Sequence, residues 1–197
     1  MLMHHICAQG AWKHPDLVAV TAETGDGLSW AELDARAERL ADALHALGVR
    51  QGDRVACILD NCLEMVVLFF ASSKLGAIYS PINSRFVMRE KLQVLEDLAP
   101  KVLISRAAHG EEVAALRATG KLPGIGAWPL IDAPADGVPA KGMRDYEAML
   151  VQAPARGPAP EIVDDDPVFI SFTGGSSGIP KGVMLSHRNM KIGRAHV

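Results

Sequence analysis

The sequence is sparing with cysteine. It has only Cys7, Cys57 and Cys62, an odd number with no C-x-x-C pair. That argues against a disulfide framework and for a reducing compartment, with all three as buried, inert thiols. A strong charge bias is also missing: the formal net charge is −3, which gives no reason to expect nucleic acid or an acidic membrane surface as partner. No apolar run is long enough to cross a bilayer, because Lys74 ends the stretch from Met65 to Ala71. Met1-Leu-Met-His-His-Ile-Cys7 carries no basic segment followed by a long apolar one. It is therefore not a signal peptide, and a cytoplasmic location is expected. No internal repeat is evident. A more local absence is the most telling. Between Pro167 and Lys191 there is no Asp or Glu, while Lys181, Arg188 and Lys191 are basic, so the local field favours an anion.

Within that acid-free stretch lies Phe169-Ile-Ser-Phe-Thr-Gly-Gly-Ser-Ser-Gly-Ile-Pro-Lys-Gly-Val-Met-Leu-Ser186. An apolar strand pattern runs into a loop of glycines and hydroxyl residues, then a lysine fixed by proline, then a second apolar run. Gly174, Gly175 and Gly178 let the backbone turn sharply and bring N–H groups close to a ligand; successive exposed N–H groups form a concave anion site. Thr173, Ser176 and Ser177 add hydroxyl donors, and Lys181 adds a flexible point charge suited to phosphate. At roughly 1.5–3 kcal/mol for each hydrogen bond to a charged group, three or four such bonds hold a triphosphate firmly. Neither common phosphate loop fits. The pattern G-x-x-x-x-G-K-[ST] needs Gly before the lysine, where this chain has Pro180, and G-x-G-x-x-G fails against Gly-Gly-x-x-Gly. The competing reading is a flexible Gly/Ser hairpin between two strands.

The rest of the chain alternates strand and helix. Residues 1–28 begin irregularly, with His4 and His5 as surface histidines. A turn at His14-Pro15-Asp16 precedes a strand over Leu17–Thr21, and Gly25-Asp-Gly27 is a hairpin-type turn. Ser29-Trp-Ala-Glu32 is a capping box. Leu33, Ala37, Leu40, Leu44 and Leu47 follow as one helical stripe, which Gly48 ends. Strands are expected over Arg54–Leu59, Ala77–Ile82 and Lys101–Ser105, with a weak one at Trp128–Ile131. Helices are expected from Leu63 to Leu75 (capped by Asn61 and closed by Gly76), from Met88 to Leu98, from Glu111 to Thr119, and briefly over Tyr146–Val151. The Leu63 helix is apolar all round, as for a helix buried in a larger fold. Residues 132–163 are rich in Pro, Ala and Gly, with a semi-extended connector at Pro154–Pro160. Asp164-Asp-Asp166 is either a Mg²⁺ ligand set or a solvated turn, and the composition favours the turn. A further helix start, capped by Ser186, is expected; His187 could act on phosphate, but its helix-start position favours a structural role. The expected fold class is α/β with a largely parallel sheet and flanking helices.

Phe172-Thr-Gly-Gly-Ser-Ser-Gly-Ile-Pro-Lys-Gly-Val183 resembles the phosphate-binding core motif of the adenylate-forming enzymes, a group that includes acyl-CoA synthetases, peptide-synthetase adenylation domains and luciferases. The usual form is Tyr/Phe-Thr-Ser-Gly-Thr-Thr-Gly-x-Pro-Lys-Gly-Val. This chain has Gly174 for the Ser and Ser176-Ser177 for the Thr pair. Ser29-Trp-Ala-Glu-Leu33, Leu47-Gly-Val-Arg-Gln-Gly-Asp-Arg-Val55 and Leu75-Gly-Ala-Ile-Tyr-Ser-Pro-Ile-Asn83 are similar to further elements of the family. The similarity therefore runs from about residue 12 to 191. Pro81-Ile-Asn-x-Arg85 leans toward acyl-CoA ligases.

The resemblance implies an enzyme that activates a small-molecule carboxylic acid with ATP and Mg²⁺ and passes the acyl group to coenzyme A. The ATP phosphates would lie on Thr173, Gly174, Gly175, Ser176, Ser177, Gly178 and Lys181. An amino-acid adenylation domain loading a carrier protein, or a non-catalytic nucleotide-binding module, are the alternatives. Residues 1–191 are expected to be the N-terminal part of a longer ligase domain, so no catalytic residue is assignable and the chain is expected to be inactive alone. Ile192-Gly-Arg-Ala-His-Val197 does not continue the amphipathic pattern. Its codons can be written as the start of a common sequencing adapter, so it is expected to be a non-native tail.

Overall fold

The computed structural model describes residues 1–133, 143–173 and 180–191. Its first element is one the sequence pattern did not announce. Helix α1 (Met3–Lys13) occupies the segment expected to be irregular. It has no side-chain N-cap of its own and carries Gly10 in its middle. Tertiary contact holds it instead. A Cβ on Gly10 would fall 2.3 Å from Cδ2 of Trp30, so the bare glycine lets α1 lie flat on that indole. His4 is half-buried, with Nδ1 3.1 Å from Ser73 Oγ, which corrects its reading as a surface histidine.

A two-stranded antiparallel hairpin follows, β1 (Val18–Thr21) and β2 (Gly27–Ser29). Helix α2 (Trp30–Ala46) starts at the expected capping box. The Glu32 N–H donates to Ser29 Oγ at 3.2 Å, and the Ser29 N–H donates to Glu32 Oε2 at 2.8 Å. Gly48 then takes the left-handed conformation that ends the helix, with φ 86°. Strand β3 (Arg54–Ile58) leads to helix α3 (Leu63–Lys74). Here the cap position is Cys62 rather than Asn61, and its side chain makes no capping bond. Strand β4 (Ile78–Ile82), helix α4 (Met88–Leu98), strand β5 (Val102–Arg106), helix α5 (Gly110–Ala118) and strand β6 (Pro129–Ile131) follow as the apolar pattern indicates. A two-residue strand, β7 (Arg144–Asp145), was not foreseen. It precedes helix α6 (Tyr146–Gln152), and the last elements are β8 (Pro167–Thr173), β9 (Lys181–Ser186) and α7 (His187–Lys191).

Seven strands form one sheet in the order β7-β6-β5-β3-β4-β8-β9. Every neighbouring pair is parallel except β8–β9. Strand alternation divides the apolar residues between two faces. Val55, Cys57, Tyr79, Val102 and Ile104 join a core with α1, α2, α3 and α6. Ala56, Ile58, Ile78, Ile82, Leu103 and Ile170 join a second core with α4 and α5. A parallel sheet needs this cover on both faces, and each fully buried Leu, Ile or Val contributes roughly 1.5–3 kcal/mol. Burial pushes the thiols of Cys7 and Cys57 up to about 12 and raises that of Cys62. This agrees with inert cysteines, although Cys62 is only half-buried.

Candidate functional site

Ligands of open α/β sheets bind outside the carboxyl ends of the strands, where neighbouring strands send their connections to opposite faces. That point lies between β3 and β4. The helix after β3, α3, packs on one core and the helix after β4, α4, on the other. The crevice there, about 660 Å³, is lined by Asp60 and Asn61 after β3, Asn83 to Arg85 after β4, and Ser171 and Phe172 of β8. Polar contacts tie its rim together. Ser84 Oγ donates to Asp60 Oδ1 at 2.7 Å, and Asp60 Oδ2 lies 3.3 Å from His109 Nε2. The Lys91 ammonium, 2% exposed, donates to the Ser84 carbonyl at 2.6 Å and to both oxygens of Glu112 at 2.7 and 2.6 Å. At the end of β5, Arg106 pairs with Glu64 at 3.1 Å and with Asp132 at 3.0 Å. The sequence reading missed this rim. The available signal was Lys91 itself, which shares a helical face with Val94, Leu95 and Leu98, where a lysine must be buried with a partner.

The glycine- and hydroxyl-rich stretch connects β8 to β9 at the same end of the sheet. Ser171 pairs with Val183, Phe172 with Gly182 and Thr173 with Lys181. The hairpin reading is therefore correct for the flanks. Ser171 and Phe172, next to the end of β8, line the crevice. Thr173 and Lys181 end up directly across from each other at the end of that pairing. Gly174, Gly175, Ser176, Ser177 and Gly178 lie outside the described residues, as does the tail 192–197. Gly182 has a packing reason: a Cβ there would sit 3.3 Å from the Phe172 ring across the ladder. Lys181, Gly182, Phe172 and Met184 also line a second groove of about 710 Å³, toward Arg54 and the end of α4.

The acid-free flank does not stay acid-free in three dimensions. The turn before β8 folds against α7. Arg188 donates to Asp165 at 2.6 and 2.9 Å, and Lys191 to Asp164 at 2.6 Å. Those hydrogen bonds hold both carboxyls below their ordinary range and raise both cations. Of the three basic residues, Lys181 alone has no carboxylate partner among the described residues, and it is exposed. The anion-favouring charge thus narrows from three cations to one. The same contacts decide the fate of the acidic triplet. Asp166 accepts the Val163 N–H at 2.9 Å and Gln51 Nε2 at 3.2 Å. All three carboxylates are engaged in a solvated turn. Among the described residues no cluster of three or more His, Cys, Asp or Glu is placed to hold a metal, so these residues do not fit a resident magnesium site.

The fold class is a mostly parallel α/β sheet whose last parallel strand is followed by an antiparallel one, with a hydroxyl- and glycine-rich segment between them in the sequence. The AMP-binding enzyme family model matches residues 7–196, and the chain belongs to that family. It is 36% identical over 183 residues to the long-chain-fatty-acid–CoA ligase FadD13 of Mycobacterium tuberculosis, a match covering 92% of this chain and 34% of that protein. It is 33% identical to 4-coumarate–CoA ligase 2 of Oryza sativa, covering 98% of this chain and 35% of that one. Among solved structures, a "putative long-chain-fatty-acid CoA ligase" from Rhodopseudomonas palustris superposes with a TM-score of 0.86 at 31% identity. That match covers 99% of this chain and 47% of that one. The chain spans about a third of the length of the curated relatives it matches. No described helix is long and apolar enough to cross a membrane.

Proposed function

We propose that residues 1–191 are the N-terminal part of an ATP-dependent acid–thiol ligase and carry its phosphate cradle. In the complete enzyme a substrate carboxylate oxygen attacks the α-phosphorus of ATP. The bond to the bridging oxygen breaks, pyrophosphate leaves, and an acyl-adenylate remains. The sulfur of coenzyme A then attacks the acyl carbon, its thiol gives up a proton, and AMP departs. The residues of this chain act in the first step. Lys181 neutralises charge building on the departing pyrophosphate, Thr173, Ser176 and Ser177 donate hydroxyl hydrogen bonds, and Gly174, Gly175 and Gly178 expose backbone N–H groups to the phosphates. This is electrostatic stabilisation by groups already in place. Magnesium enters as the partner of ATP rather than on carboxylates of this chain.

The observation that carries the reading is the pairing of Thr173 with Lys181 at the base of the hairpin tip, with Lys181 free of any carboxylate among the described residues. Coenzyme A is favoured over a carrier protein as acceptor because FadD13 and the coumarate enzyme are both named CoA ligases. Their named acids differ, so the proposed substrate class is a carboxylic acid without further restriction. In the complete enzyme, Lys181→Ala should slow ATP–pyrophosphate exchange by about 10²–10³, with partial recovery in Lys181→Arg. Exchange at the wild-type rate in Lys181→Ala would remove the cradle.

A further inference from the structure

His187 is a buried titratable group that phosphate binding does not use. It follows β9 directly, opens α7, and is 0% exposed. Its Nδ1 accepts the Met3 N–H at 3.1 Å, and its Nε2 is buried without a partner among the described residues. The accepting Nδ1 fixes the ring as the neutral tautomer protonated on Nε2. A proton on Nδ1 would set two donors against each other.

The Met3 N–H is one of the groups at the start of α1 that have no acceptor within the helix. The next, the His4 N–H, donates to Ser73 Oγ at 3.0 Å. Helix α1 is therefore capped by side chains far away in the chain, one from α3 and one from the root of β9. We infer that His187 is a positioning residue whose neutral imidazole clasps α1 to the root of β9, the strand that begins at Lys181, and that acid opens this clasp. Its relevance to catalysis rests on the reading of Lys181 as a phosphate ligand; the clasp itself does not.

The groups facing His187 decide the sign. From the N-terminal segment come His4 (ring centroids 6.4 Å apart), His5 and the Met1 ammonium, which pairs with Asp164 at 3.3 Å. Ser73 and Lys74 of α3 act on the neighbouring His4 instead, Lys74 being paired with Asp34 and Glu38 of α2. Asp164 and Asp166 approach from the turn before β8, and Lys191 from α7. Burial, assisted by Lys191 and His5, outweighs the two aspartates and holds His187 below its ordinary range. His4 is lowered to about 4, first by burial and then by its cationic neighbours. Both rings are neutral in the native state and titrate near 6.5 when unfolded. Between those limits the unfolded state binds more protons. The stabilisation is therefore complete above about pH 6.5 and is lost as pH falls through the lowered folded-state value of each ring, about 4 for His4.

Hydrogen exchange on this chain, followed by mass spectrometry between pH 7.5 and 4.5 and corrected for the intrinsic pH dependence of exchange, tests the clasp. Peptides covering residues 1–13 and 181–191 should lose protection together on acidification, by up to about tenfold per pH unit below 6.5. In a His4→Gln background, which removes the other lowered imidazole, His187→Asn, whose Oδ1 accepts the Met3 N–H without titrating, should keep both peptides within about twofold of their neutral-pH protection at pH 5. Release of residues 1–13 with 181–186 unchanged would overturn the inference, as would an unaltered acid profile in that double variant. Should the double variant not fold, His4→Gln alone takes its place: persistence of the joint release supports His187, and its disappearance refutes it. A parallel arm with Mg-ATP separates the two readings. Absence of nucleotide protection with the joint release intact would remove the phosphate cradle and leave the clasp standing.

Discussion

The middle of the sheet and its β9 edge are built differently. Around β3 and β5 helices cover both faces, and Val55, Ala56, Cys57, Val102 and Leu103 are all 0% exposed. At the edge β9 is open, with Val183 48% and Met184 58% exposed, and among the described residues it is the one antiparallel strand of this sheet. A parallel strand needs a crossover and its covering helix, whereas an antiparallel strand needs only a turn. Residues in the covered half are fixed by packing. On the open strand Lys181, Val183 and Met184 stand exposed, and the sequence enters that strand through a segment with three glycines and three hydroxyl residues. The open edge also exposes apolar side chains on a strand that is paired on one side only among the described residues, a template for association.

The sharpest way to break this contrast is a cavity in the covered half. Leu103→Ala should cost about 2–5 kcal/mol, read as a lowered midpoint in denaturant unfolding. A loss below about 1 kcal/mol would mean the two halves are not as unlike as described. Gly10→Leu forces a side chain into the Trp30 ring and should cost about 1–3 kcal/mol, with a change in Trp fluorescence as α1 lifts. Lys91→Met leaves Glu112 without its cation and should cost a similar ~1–3 kcal/mol, most of it recovered in the Lys91→Met/Glu112→Gln pair; no recovery in that double variant would refute the ion-pair account. Ser29→Ala removes a cap and should cost about 1 kcal/mol in the same unfolding experiment. At the open edge, Met184→Ser should change stability by no more than about 0.5 kcal/mol while reducing light scattering on concentration.

What was legible in the sequence follows the same division. The covered strands and their helices carry period-2 and period-3.6 apolar patterns, and the ends of α2 and α3 are marked by Gly48 and Gly76, both in the left-handed region. Helix α1 was illegible because its capping comes from Ser73 and His187, partners no local pattern contains. The Asn61 cap was misread because hydroxyl and amide residues near a helix start are only a statistical cue, and here the chain enters α3 through Cys62. At the site, the hydroxyl and glycine residues and Lys181 were readable as chemistry. The quenching of Arg188 and Lys191 by Asp165 and Asp164 was not, because it depends on how the turn before β8 folds onto α7.

Exchange of the backbone amides from Thr173 to Lys181, compared in this chain with and without Mg-ATP at neutral pH, tests the cradle most directly. The account predicts slowed exchange confined to that hairpin tip, abolished in Lys181→Ala and independent of the acyl substrate. Unchanged exchange at the tip in a folded chain, or protection that appears elsewhere and survives Lys181→Ala, would contradict it.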